Sequence, residues 1–213
     1  MLTTVSPDVA SIVRPAWLVL PSVLVLDRDP RLDGPLGNAA AAQRTAFAGP
    51  SGLGTGEDDV TTAVRSMYKR VGLDPTKTRP SSEALLRRVR KGGDLPRINS
   101  LVDVINWCSL ETRLPFGLYD LARIDGDVTL RLGRDDESYA GIRKDTVHVA
   151  GRLTLADAAG PFGNPTSDSA RTMVTTATTS ALVVIFVPAA LPADVGERAR
   201  ALTEGRVRDF SSP

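Results

Sequence analysis

The segment Ala156 to Thr172 reads ADAAGPFGNPTSDSART and holds an unusual group of side chains able to do chemistry. Asp157 opens it, turn-forming glycines and prolines follow, and then come Thr166, Ser167, Asp168, Ser169, Arg171 and Thr172. Polar loops at strand ends build ligand sites because amides and hydroxyls converge there. The same residue types also bond their own backbone in solvent-facing turns, so composition leaves both roles open. Arg79 precedes Pro80, which extends its backbone. Its guanidinium suits a two-pronged contact with a phosphate or carboxylate, or plain solvent exposure. Asn99 stands where a helix N-cap is expected. Asn106 lies inside an apolar helix, where an amide needs partners from a loop or from a ligand. Arg87, Arg88, Arg90, Lys91 and Arg97 gather positive charge locally. They form either a solvated helix face or a contact for a nucleic-acid backbone, which needs several cations on one surface.

The elements that must position these groups are legible in outline. Asp58 to Val71 reads as a helix, with Val60, Val64, Met67, Tyr68 and Val71 at helical spacing and Gly72 stopping it. SSEALLRRVRKG forms a second helix, with Glu83 early and Arg90 and Lys91 late, opposing the helix dipole. Residues 99–113 form a third, lined by Leu101, Val104, Ile105 and Cys108. Leu32 to Gly37 and Gly49 to Glu57 read as connectors around a short alanine-rich helix, Asn38 to Ala48. The glycine stretch lacks the Gly-Lys-Ser/Thr ending of a phosphate loop. Val128 to Leu132, an alternating run or hairpin over Val147 to Leu155, and Ala181 to Val187 read as strands. Val195 to Thr203 is the last helix, and the polar tail after Gly205 is expected to fray. Helices interspersed with strands, without a steady alternating repeat, predict an α+β fold with a mixed β-sheet flanked by helices. Residues 1–213 are read as a single domain.

Composition excludes several chemistries. The chain has 213 residues, 42% hydrophobic and 24% charged, with a formal charge of +1. No overall field advertises nucleic acid, although local patches still steer. One cysteine, Cys108, and one histidine, His148, rule out an internal disulfide, a cysteine-based zinc site and a His/Cys cluster. His148, within Val-His-Val, reads as a strand residue, and Cys108 as a small buried hydrophobe. No metal and no cofactor are expected. The apolar run Ala16 to Leu26 (AWLVLPSVLVL) is broken by Pro21 and falls short of the roughly 20 residues that span a bilayer. It reads as one or two buried strands, and the expected location is the cytoplasm, away from membrane.

From Pro96 to Asp120 the chain reads PRINSLVDVINWCSLETRLPFGLYD. This resembles a stretch of the phenylalanyl-tRNA synthetase beta subunit. There an isoleucine-asparagine pair opens a valine-aspartate-rich helix and a Pro-X-His-Ala-Phe-Asp turn ends it. Ile98-Asn99, Val102-Asp103, Asn106 and Pro115 to Asp120 match, as does the preceding helix at Leu86 to Arg88. The strand after Gly126, the turn around Gly160 and Thr175 to Val184 look similar too, so the resemblance covers about residues 65–188. RPSSEALLRR, LPRINSLVDVINW and GPFGNPTSDSART look more like the free-standing branch of this family. The resemblance implies the fold of that subunit's editing domain and hydrolysis of mischarged aminoacyl-tRNA, with canavanyl-tRNA for arginine or another non-cognate charge as substrate. The partner is then aminoacyl-tRNA; the alternative is a module that binds tRNA or an amino acid without turnover. An aminoacyl ester is already activated, so a positioned water and a held oxyanion suffice. On this reading Asp168 polarises water, while Thr166, Ser167 and Ser169 hold the ester carbonyl or ribose. Asn99, Asn106, Tyr139 and Asp157 shape the substrate site, and Arg79, Arg87, Arg88 and Arg171 meet the tRNA. Two departures stand out. Gly117 replaces the family histidine, and Pro165 to Arg171 replaces its glutamate-bearing loop, with Asp168 or Ala170 at the glutamate's place.

Overall fold

The computed structural model describes residues 1–47, 59–142 and 145–212. In chain order it runs β1 (Thr3–Val5), α1 (Pro7–Ala10), β2 (Val13–Leu20), α2 (Asp33–Phe47), α3 (Asp59–Arg70), α4 (Ser81–Arg90) and α5 (Ser100–Thr112). Then follow β3 (Phe116–Asp120), β4 (Val128–Leu132), β5 (Ser138–Ala140), β6 (Thr146–His148), β7 (Leu153–Asp157), β8 (Gly160–Gly163), β9 (Ala181–Pro188) and α6 (Asp194–Ser211). The fold is α+β, as the sequence predicts. Its strands form three sheets: β1-β4-β7-β8, β2-β9-β3 and β5-β6. The first is mixed, because β1 runs parallel to β4 and the other pairs are antiparallel.

β9 explains the apolar run ALVVIFV. All eight of its residues are buried, between β2 on one edge and β3 on the other. A strand covered on both faces has no need of polar alternation, and β-branched residues pack well there. α6 packs across β2 and β9, and α5 packs on α6 and β3. One cluster of buried hydrophobics runs from Val9 to Val207.

The three periodic helices fall where predicted. α3 buries Val64, Met67 and Tyr68. α4 buries Leu86 and Val89 and leaves Arg87 and Arg88 exposed. α5 begins at an N-cap, where the Asn99 side chain accepts from the Val102 amide at 2.9 Å. That residue is 5% exposed, so the bond is protected from competing water. Asn99→Ala should therefore cost about 1 kcal/mol in thermal or urea unfolding, the usual value of a cap. Arg97 and Asp103 brace the same end: Arg97 Nε donates to Asp103 Oδ2 at 2.6 Å, and the Ile98 amide donates to Asp103 Oδ1 at 2.8 Å. Cys108 is fully buried and free, and burial raises its thiol pKa. His148 lies exposed on β6.

The expectation of one or two strands over Ala16 to Leu26 is met by one, and three other local expectations need correction. The Ala16 to Leu26 run forms one strand from Val13 to Leu20; beyond Pro21 the chain continues without a ladder, burying Val23 and Val25. α2 starts at Asp33, so the Leu32 to Gly37 connector lies largely inside a helix, its Pro35 tolerated in the first turn. The turn expected at Pro115 to Asp120 is a fully buried strand, β3. The C-terminus does not fray after Gly205. α6 runs to Ser211 because Val207 and Ser211 are buried, and the Leu24 amide donates to the Ser211 carbonyl. The connector Gly49 to Glu57 lies outside the described residues. No helix among the described residues is long and apolar enough to cross a membrane.

Candidate functional site

The loop after β8 is built by its own side chains and then tied down by three others. Asn164 Oδ1 accepts from the Thr166 and Ser167 amides at 2.8 and 2.9 Å, so the asparagine before Pro165 mimics a backbone turn. The chain then folds back: the Asn164 amide donates to the Ser167 carbonyl, the Ser169 amide donates to the Phe162 carbonyl, and Gly163 bridges Asp168. On the far side the Ala170 amide donates to the Ala140 carbonyl beside β5.

All three tyrosines of the chain end on three consecutive residues of this loop. Tyr68 from α3 shares a hydrogen bond of 2.9 Å with the Thr166 hydroxyl. Tyr139 from β5 donates to the Ser167 carbonyl at 2.5 Å. Tyr119 from β3 donates to Asp168 Oδ1 at 2.6 Å. Burial pushes each phenol above its ordinary pKa, and the neighbouring Asp168 charge adds to the effect at Tyr119 and Tyr139. All three therefore keep their protons, and Tyr119 and Tyr139 remain donors, through the physiological range.

Tyr119 has no exposed surface, and its ring packs edge-on to Phe162 at 4.9 Å. Glycines sandwich it. A Cβ on Gly117 or on Gly163 would overlap the Tyr119 hydroxyl and come within 2.7 Å of ring carbons. Gly117 thus makes room for the phenol that holds Asp168. Strand alternation puts Phe116 and Leu118 on the opposite face of β3, where both line a cleft.

That cleft has two connected chambers. The first, about 270 Å³, is walled by Val102, Ile105, Leu118, Met173 and Val174, with Ile98 at 45% exposure. The second, about 250 Å³, is walled by Ser81, Asn164, Thr166 and Ser167. Asn106, Phe116, Ile142 and Asp168 belong to both and form the seam. The Ser81 hydroxyl oxygen, at the first residue of α4, is buried without a partner among the described residues. The Asn106 side-chain amide makes no hydrogen bond among them either.

The sequence-predicted residues divide accordingly. Thr166, Ser167, Asp168 and Asn106 converge on the cleft. Ser169 faces away, its hydroxyl accepting from the Arg171 amide. Asp157 and Arg171 hold each other through two bonds of 2.9 Å. Asp157 also accepts from the Asp125 and Ala159 amides, and Arg171 stacks 5.6 Å from the Phe162 ring centre. This pair clamps the β7–β8 hairpin and does not line the cleft. Asn99 is a cap, and Tyr139 holds the loop from behind. Arg79 lies 3.4 Å from Glu83, whose main partner is Arg65 at 2.8 Å. Arg65, with Arg79 adding to it, holds the Glu83 carboxyl below its usual pKa. Arg88 donates to the Asp94 carbonyl, and Arg87 stands exposed on the same helix. Sequence reasoning missed Tyr68, Tyr119, Ser81 and Asn164. The one available signal was the Gly117-x-Tyr119 spacing. Among the described residues no group of three or more His, Cys, Asp or Glu is placed to hold a metal.

The family described as the B3/4 domain matches residues 63–203, from the middle of α3 into α6. The chain belongs to the B3/4 domain family. Among the curated proteins it is similar to are phenylalanine–tRNA ligase beta subunits. It is 32% identical over 134 residues to the phenylalanine–tRNA ligase beta subunit of Thiobacillus denitrificans, covering 62% of this chain and 16% of that one. It is 36% identical over 84 residues to the same subunit of Chromobacterium violaceum, covering 39% of this chain and 11% of that one. The chain therefore spans a small part of the length of these curated relatives. Its fold is similar to an N-terminal fragment of the phenylalanyl-tRNA synthetase beta subunit from Pyrococcus horikoshii, with a TM-score of 0.50 at 10% identity. That match covers 99% of this chain and 49% of the fragment, and it bears on the fold alone.

Proposed function

We propose that this B3/4 domain hydrolyses the ester of mischarged aminoacyl-tRNA, acting in trans. The observation that carries the reading is the seam of the cleft, where one carboxylate stands between an apolar and a polar chamber. An aminoacyl ester has that same division: a side chain on one side of the reacting carbonyl and a ribose on the other. Asp168, fixed by the Tyr119 phenol, polarises the attacking water. The Thr166 and Ser167 region and the Asn106 amide hold the carbonyl oxygen or the ribose hydroxyls. Arg79, Arg87 and Arg88 on and before α4 meet the tRNA backbone, because Ser81 of the same helix opens onto the polar chamber.

The rival reading is a module that binds charged tRNA without turnover. Gly117 favours it, since it stands where the related turn carries a histidine. Asp168 is then the single ionisable group among the described residues of the cleft wall. A deacylation screen separates the two. The protein at sub-stoichiometric concentration is mixed with correctly and wrongly charged tRNAs, including arginine tRNA carrying canavanine and phenylalanine tRNA carrying tyrosine. Multiple-turnover release from a mischarged species is the expected result. Retained tRNA binding without release from any species would leave the binding module.

A further inference from the structure

The two chambers differ in what they accept. Apart from Asp168 and Asn106 at the seam, the described wall of the first chamber is aliphatic, thioether or aromatic throughout. Its volume of about 270 Å³ is slightly below the ~300 Å³ at which ligand cavities usually begin. It has room for an amino-acid side chain and not for a nucleoside as well. The second chamber presents Ser81, Asn164, Thr166 and Ser167, which suit the hydroxyls of a ribose. We infer that the apolar chamber is the subsite for the amino-acid side chain and that it selects neutral, apolar side chains over guanidinium or other charged groups. This rests on the reading that the cleft holds an aminoacyl ester.

The physical reason is desolvation. A guanidinium carries five N–H donors in a fixed plane. Laid against Val102, Ile105, Leu118, Met173 and Val174, those donors would leave water, and the described wall offers side-chain acceptors at the seam alone, on Asn106 and Asp168. A buried polar group without a partner is strongly disfavoured, and a buried charge more so. Neither Asn106 nor Asp168 reaches a side chain seated deep among the aliphatic residues, because both stand at the seam, where Asp168 also faces the reacting ester. An unbranched or branched aliphatic side chain, or an aromatic one, gains from the same wall by leaving water. Ile98, 45% exposed, extends the apolar surface outward for a side chain longer than the chamber is deep.

The test uses the whole chain and adenosine analogues carrying an amino acid through a 3′-amide, which cannot be hydrolysed. Leucine, norleucine, phenylalanine and alanine conjugates are titrated beside arginine, canavanine and glutamate conjugates. The expected result is binding of the apolar series at least about tenfold tighter than the charged series, with about tenfold lost per methylene removed. Val102→Phe, a change at a half-buried wall position, should reverse the order within the apolar series in favour of alanine. Equal or tighter binding of arginine or canavanine would overturn the inference while leaving ester hydrolysis standing. Tight binding of apolar conjugates without hydrolysis of the matching esters would support the subsite and remove the hydrolytic reading. No binding by any conjugate would overturn the subsite assignment.

Discussion

Asp168→Asn is expected to lower single-turnover deacylation by about 10²- to 10⁴-fold, the usual contribution of a general base. Tyr119 can donate to an asparagine carbonyl as it donates to the carboxylate, so the loop should keep its shape. Unfolding by urea should shift little, and the non-hydrolysable conjugates should still bind. Loss of rate with retained binding and stability would locate the defect in the chemical step. Full activity in this variant would remove Asp168 from the reaction and leave backbone amides and substrate groups to account for it. Tyr119→Phe is the milder companion. It takes away the donor that orients Asp168, and its effect should fall on kcat more than on KM.

The second large effect belongs to stability. Gly117→Ala should cost about 3 kcal/mol in urea unfolding, at the upper end of the range for overpacking a core. The new Cβ would overlap the Tyr119 hydroxyl, and ring carbons would lie 2.7 Å from it. The tyrosine has no exposed face to move towards, and Gly163 closes the other side in the same way. Combining Gly117→Ala with Tyr119→Phe should recover only part of the loss, because the ring stays after the hydroxyl goes. An unchanged urea midpoint for Gly117→Ala would mean that the ring swings aside, and that the Tyr119–Asp168 bond is less firmly held than its burial implies. The same packing bears on the departure from the related turn. A histidine cannot simply be restored at position 117 while Tyr119 occupies the space above it.

Much of the fold was legible because several elements obey one period. Val64, Met67 and Tyr68 mark α3, Leu86 and Val89 mark α4, and the Asn99 cap marks the start of α5. β9 was legible from its unbroken β-branched run. β3 was not. FGLYD is short, carries a glycine and is buried on both faces, so it shows no alternation to read. The end of α6 was missed because its sequence is polar, and its stability comes from packing that the sequence does not display. The site shows the same split. The 164–168 loop stood out by composition, but the direction of each side chain did not. Asp168 points into the cleft, while Ser169, one residue on, faces the other way. Asp157 and Arg171 looked like free polar groups because nothing in a linear reading pairs residues 14 apart across a hairpin. The tyrosines were invisible as a set. Their partners lie 28, 49 and 98 residues away in sequence.

The three phenols have a consequence for how the protein responds to ionic strength. They hold the loop by hydrogen bonds from uncharged phenols, one of them to the Asp168 carboxylate, in buried surroundings that dissolved ions screen little. The arginines proposed to meet the tRNA are charged, and on α4 they are exposed to solvent. Added salt should therefore weaken the encounter with tRNA while leaving the bound ester's conversion nearly untouched. Measured over a salt series, KM should climb and kcat should stay flat, so that one inexpensive variable separates the capture of the polynucleotide from the cleavage of the bond.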